Sequence, residues 1–214
     1  MSVVVVFSRR YVTSMKTAKR DQLLALMKRV RVLRPKDLAA AGISRTYLNK
    51  LYAEGVLERS GRGLYTLKDD EPSERRSYVE ACRRVPRGVI CLLSALQFHD
   101  LTTQSPFEVW LAIDTKARLP RVDSPPLRVM RFSGVALTFG VEEHQIEGVT
   151  VWVYSPAKTV ADCFKYRNKV GIEVAIEALR DCLKRRKATF DQLWVAAKHC
   201  RMTNVMRPYL EAMS

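Results

Sequence analysis

The chain has 214 residues, 47% of them hydrophobic, which is enough to bury a core in one large domain or two small ones and excludes a disordered polyelectrolyte. Lys and Arg outnumber Asp and Glu by 37 to 22, a net charge of +15, and this points to a polyanionic partner. The excess is uneven: residues 1–68 carry 15 basic and four acidic side chains, while residues 69–214 carry 22 and 18.

The opening run Val3-Val4-Val5-Val6-Phe7 is followed, not preceded, by Arg9 and Arg10. It is too short for a signal peptide's apolar core or a membrane span, so a cytoplasmic protein without membrane attachment is expected. Met15 offers an alternative start, and residues 1–14 are expected to be poorly ordered.

A winged helix-turn-helix is predicted over residues 15–70. Leu23, Leu24, Leu26, Met27 and Val30 recur at three- and four-residue spacing, the stripe of a first amphipathic helix. Pro35 suits the first turn of a second helix running through Ala41, and Gly42 ends it. Gly42-Ile43-Ser44 then reads as a tight turn, an inward anchor and a helix cap. The third helix, Arg45 to Glu54, buries Leu48 and Leu51 and leaves Arg45, Thr46, Asn49 and Lys50 on the other side. With Ser44 these are the candidate DNA-binding residues. Arg and Asn make bidentate bonds to guanine or adenine edges, and Ser, Thr and Lys hold phosphate or base atoms. Two short strands, Val56–Arg59 and Leu64–Leu67, joined through Ser60-Gly61-Arg62-Gly63, form the wing, and Arg62 between two glycines suits close approach to the phosphate backbone or the minor groove.

Residues 71–214 read as a second, mixed α/β domain, giving an α+β fold class overall. A helix is predicted over Glu74–Arg84 and a buried strand over Gly88–Leu93, with Ser94 capping a short helix through His99. Strands follow at Phe107–Ile113, Leu127–Phe132, Val135–Phe139 and Val149–Tyr154. Ser155-Pro156 opens a helix through Phe164, and further helices fit Ile172–Lys187, Phe190–Cys200 and Val205–Met213.

Catalytic and cofactor signatures are sparse. Cys82, Cys91, Cys163, Cys182 and Cys200 include no C-x-x-C pair and read as reduced thiols. His99, His144 and His199 lack metal-ligand spacing, and no phosphate-loop spacing occurs. No cofactor, metal or enzymatic activity is therefore expected. The rival reading is a metal-dependent nuclease built on Glu108, Asp114 and Lys116.

Three segments carry a family resemblance: the Gly61-Arg62-Gly63-Leu64-Tyr65 wing; Leu93-Ser94-Ala95-Leu96 followed by His99-Asp100-Leu101-Thr102; and Ser155-Pro156-Ala157-Lys158-Thr159-Val160-Ala161-Asp162 with Lys165-Tyr166-Arg167 after it. By them the chain resembles the AbiEi antitoxins of type IV toxin-antitoxin systems. The resemblance implies that the winged domain represses its own operon at inverted repeats in double-stranded DNA. It further implies that residues 71–214 are an antitoxin domain opposing a nucleotidyltransferase-like toxin without a stable complex, the protein acting as a monomer or weak dimer that binds DNA cooperatively. Lys158, Lys165 and Arg167 are candidates for an antitoxin surface or a second nucleic-acid surface. The alternative is a transcription regulator whose C-terminal domain binds a ligand or mediates assembly and has no toxin partner.

Overall fold

The computed structural model describes residues 19–213. The expectations about residues 1–14 and Met15 lie outside the described residues. The chain divides into two compact units, one holding the residues up to Pro72 with Glu147–Val149, the other Ser73–Ile146 and Thr150 onward.

In the first unit α1 covers 19–29, α2 Pro35–Ala40 and α3 Arg45–Ala53, followed by β1 (Leu57–Gly61) and β2 (Leu64–Leu67). Pro35 occupies the first turn of α2, and the N–H just before it, on Arg34, donates to Asp37 Oδ2 at 2.8 Å. Leu23, Met27, Leu38, Leu48 and Leu51 supply the buried stripes of the three helices. The wing is an antiparallel pair, Leu57 opposite Leu67 and Glu58 opposite Thr66, with an irregularity before Gly61. Leu33 adds a one-residue third strand: its N–H and C=O each bond Tyr65 at 2.9 Å.

The second unit has a five-stranded mixed sheet in the order β5-β4-β3-β7-β6, where β3 is Val89–Ile90, β4 Val109–Asp114, β5 Leu127–Phe132, β6 Val141–Ile146 and β7 Val149–Tyr154. β3 is antiparallel to β4 and parallel to β7, while β4 and β5 run parallel from Val109 opposite Leu127 to Asp114 opposite Phe132. The helices are α4 (Arg76–Arg84), α5 (Leu92–Phe98), α6 (Val135–Thr138), α7 (Pro156–Lys165), α8 (Arg167–Val170), α9 (Ile172–Lys184), α10 (Phe190–Cys200) and α11 (Thr203–Glu211). Ser155 caps α7, its hydroxyl accepting from the Lys158 N–H. Every residue from Ala157 to Phe164 is buried, because α5, α9 and α10 all pack on α7.

Several expectations need correction. Val135–Phe139 is not a strand: Gly134 at φ +52° turns the chain into the short helix α6, where the Phe139 N–H reaches the Val135 carbonyl at 2.9 Å. The strand expected over Gly88–Leu93 stops at Ile90, because Cys91 is already the N-cap of α5. Ser94 therefore sits inside that helix, its hydroxyl accepting the Trp110 N–H at 2.9 Å instead of capping. β6 and α8 were not anticipated.

Candidate nucleic-acid interface

The geometry of α3 is set by the three residues before it. Gly42 has φ +69°, a left-handed conformation that β-carbons disfavour, and this bends the chain sharply after α2. The Ile43 N–H then bonds the Leu38 carbonyl at 2.9 Å, and the Ile43 side chain is 2% exposed, pinning the turn into the core. Ser44 is extended at φ −71°, ψ 149°, and its Oγ accepts the Tyr47 N–H at 3.3 Å. The cap satisfies one of the donors left open at the start of the helix.

Leu48 and Leu51 are buried, Tyr47 is half-buried, and Ser44, Arg45, Thr46, Asn49 and Lys50 are exposed. Arg45 and Asn49, four residues apart, share a face of α3, since such positions lie one above the other on a helix. Lys50 reaches Glu54 at 3.4 Å with both side chains roughly half exposed, a surface pair worth well under about 1 kcal/mol and easily given up to a phosphate. Tyr52, 47% exposed and edge-on to Tyr65 with ring centroids 6.2 Å apart, also borders this face. Sequence reading passed it over, although its spacing of seven from Arg45 is the signal that would have found it.

The tip of the wing turns at Gly63, φ +75°, and carries Arg62 exposed. Arg59, exposed on β1, lies 6.0 Å from the centre of the Tyr65 ring and adds a second wing cation. α3 and the wing thus present four guanidinium or ammonium groups, Arg45, Lys50, Arg59 and Arg62, with Asn49 and Thr46 between the helical ones.

The other three candidates do not form a common surface. Lys158 is 0% exposed: its ammonium pairs with the buried carboxylate of Asp162 one turn on and lies 4.3 Å from the Tyr154 ring centre and 5.0 Å from that of Phe132. A side chain enclosed in this way offers nothing to a partner, and its assignment to a surface is corrected. Burial pushes the Asp162 carboxyl above the usual carboxylate range, against the opposing pull of the Lys158 ammonium. Lys165 and Arg167 are half-buried, and the Arg167 guanidinium donates to the Phe164 carbonyl at 3.0 Å.

Glu108 and Asp114 bracket β4 from opposite ends, about 20 Å apart along an extended strand. Glu108 pairs with Arg128 at 2.9 Å, and Asp114 Oδ1 accepts the Lys116 N–H at 2.7 Å. The structure does not bring them together as metal ligands. Among the described residues no group of three or more His, Cys, Asp or Glu side chains is disposed to hold a metal, and no helix is long and apolar enough to cross a membrane.

No curated protein matches the chain. Among solved structures, the RV2827C protein from Mycobacterium tuberculosis matches with a TM-score of 0.55 over 91% of this chain and 81% of that one. The identity is 13%, so the likeness is one of fold. Residues 21–68, which span the helix-turn-helix and the wing, match the family described as "Transcriptional regulator, AbiEi antitoxin".

Proposed function

We propose that the chain is a cytoplasmic, DNA-binding antitoxin of a type IV toxin-antitoxin system. It represses its own operon at inverted repeats and counteracts a nucleotidyltransferase-like toxin without forming a stable complex with it. The observation that carries the DNA-binding half is the exposed face of α3, with Arg45, Thr46, Asn49 and Lys50 outward and Leu48 and Leu51 inward. An α-helix with its side chains is about 10–12 Å across and the major groove about 12 Å wide, so such a face reaches base edges. Arg45 and Asn49 are the base readers, Ser44, Thr46 and Lys50 hold backbone, and Arg62 follows the phosphates or the minor groove. The antitoxin half rests on the family resemblance. The chain binds as a monomer or weak dimer, cooperatively across the two repeats.

A salt-titrated gel shift comparing the DNA upstream of the gene with random duplex tests this. Arg45→Ala is expected to cost about 1–3 kcal/mol on the upstream DNA and little on random duplex. Arg62→Ala is expected to weaken both alike and to lower the slope of log K against log salt by about 1. Equal losses on both duplexes for Arg45 and Asn49 variants would remove base reading from α3, and salt-insensitive or absent binding would sink the DNA-binding reading. Coexpression with the neighbouring toxin gene tests the other half: growth is rescued if the chain is an antitoxin, and failure despite good expression counts against it.

A further inference from the structure

A concave site lies wholly within the second unit. β4 and β5 end side by side, Asp114 opposite Phe132, and β3 begins beside the same end of β4 because it runs antiparallel to it. The segment entering β3 and those following β4 and β5 enclose a pocket of about 460 Å³ lined by Val85, Arg87, Ile113, Lys116, Arg118 and Leu137, with Asp114 and Ala117. Its place is the one where open α/β sheets bind ligands, beyond the carboxyl ends of neighbouring parallel strands. Its size is within the range of small-molecule sites, about 300–1,000 Å³.

The lining divides by chemistry. Val85 and Leu137 are half-buried and Ile113 is 3% exposed, making an apolar wall, while Arg87, Lys116 and Arg118 are exposed cations. None of these three side chains enters an ion pair or hydrogen bond among the described residues. Asp114 is the one carboxylate in the lining, and its Oδ1 is taken by the Lys116 N–H.

The cationic loop is also held in place. Arg131, from the neighbouring strand β5, donates through one guanidinium nitrogen to the Thr115 carbonyl at 2.7 Å and the Ala117 carbonyl at 3.0 Å. Those bonds flank Lys116 and fix the backbone that carries it and Arg118. A loop ordered before binding loses less freedom when it closes on an anion.

We propose that this pocket binds a mononucleotide, its phosphate on Arg87, Lys116 and Arg118 and its ring against Val85, Ile113 and Leu137. The assignment does not depend on DNA binding by the first unit, since every lining residue belongs to the second. An apolar wall facing a cluster of unpaired cations suits a ligand with one flat and one polyanionic end.

Isothermal titration of the full chain with the four ribonucleoside monophosphates and triphosphates, and with the four nucleosides, tests the proposal. At least one nucleotide is expected to bind once per chain with Kd below about 1 mM, and its nucleoside much more weakly. The double variant Lys116→Ala/Arg118→Ala, whose thermal melt checks that it folds, should weaken that nucleotide about tenfold or more while upstream-DNA binding is retained. Arg87→Ala should weaken it in the same direction. Binding that persists in both variants, equal binding of nucleoside and nucleotide, or no nucleotide binding at all would overturn the proposal. Loss of affinity for a short single-stranded oligonucleotide in the double variant, without any nucleotide binding, would overturn it too and assign the patch to nucleic-acid backbone.

Discussion

Lys158 and Asp162 bury opposite charges one helical turn apart at 0% and 1% side-chain exposure, so each is tolerable only through the other. Three further groups secure the pair. The Cys200 thiol donates to the other Asp162 oxygen at 3.3 Å, and the Phe132 and Tyr154 rings face the ammonium. Asp162→Ala leaves an uncompensated ammonium in the core and is expected to cost about 3–5 kcal/mol in urea or guanidinium unfolding. Lys158→Met combined with Asp162→Leu removes both charges and should cost less than the single change; a double variant that is the less stable would show that the pair stabilises the fold outright. The sequence reading placed Lys158 outside because a lysine in a helix ordinarily projects to solvent. What the sequence lacked was the number of neighbours packed on α7. The i, i+4 spacing of Lys158 and Asp162 was the one local sign of an internal pair.

Among the elements, those with strong end signals were legible from the chain alone. Ser155-Pro156 starts α7, and α10 spans Phe190–Cys200 as expected, with Thr189 and Gln192 forming a reciprocal cap at 2.9 and 3.2 Å. The helix-turn-helix was readable for the same reason, since Gly42, Ile43 and Ser44 each carry a separate instruction. The turn can be dissected. An added β-carbon at Gly42 would meet no atom within 4 Å, so Gly42→Ala costs only its backbone strain, about 1–2 kcal/mol. Leu48→Ala empties a core position that is 0% exposed and should cost about 2–5 kcal/mol. Denaturant unfolding of the two variants is expected to keep that order; a larger loss at Gly42 would mean that the turn carries contacts beyond its own backbone. Elements without such signals were missed. In β6, Val141-Glu142-Glu143-His144-Gln145-Ile146, the apolar residues stand only at the two ends, so no alternation marks the strand. It is an edge strand, where polar side chains are tolerated and reduce pairing with other chains.

At the scale of the whole molecule, local periodicity forecast the elements of the first unit better than the architecture of the second. The candidate DNA-facing residues were legible because they fall within some twenty consecutive positions whose periodicity sorts inside from outside. The pocket at the end of β4 was not, because its lining comes from three separated stretches that only the mixed strand order brings together. The strand expected over Gly88–Leu93 is there as the two-residue β3, but its place between the parallel pair β4–β5 and β7 is a matter of strand order, which local pattern does not carry. The five cysteines, by contrast, were read as reduced thiols, and all five are free and buried in the second unit. Burial pushes the thiols of Cys82 and Cys182 up to about 11 and that of Cys200 up to about 12, which suppresses the thiolate that reacts. The native chain should therefore resist alkylation, and its slow labelling by iodoacetamide, followed site by site in a mass spectrometer, times how often each part of the second unit opens. Cys163 on α7 and Cys91 before α5, both 0% exposed, are expected to label last and Cys82, at 4%, earlier. Labelling of Cys163 as fast as a free thiol would mean that the centre of the unit breathes without resistance, whereas graded rates would turn five inert sulfurs into a built-in stopwatch of unfolding.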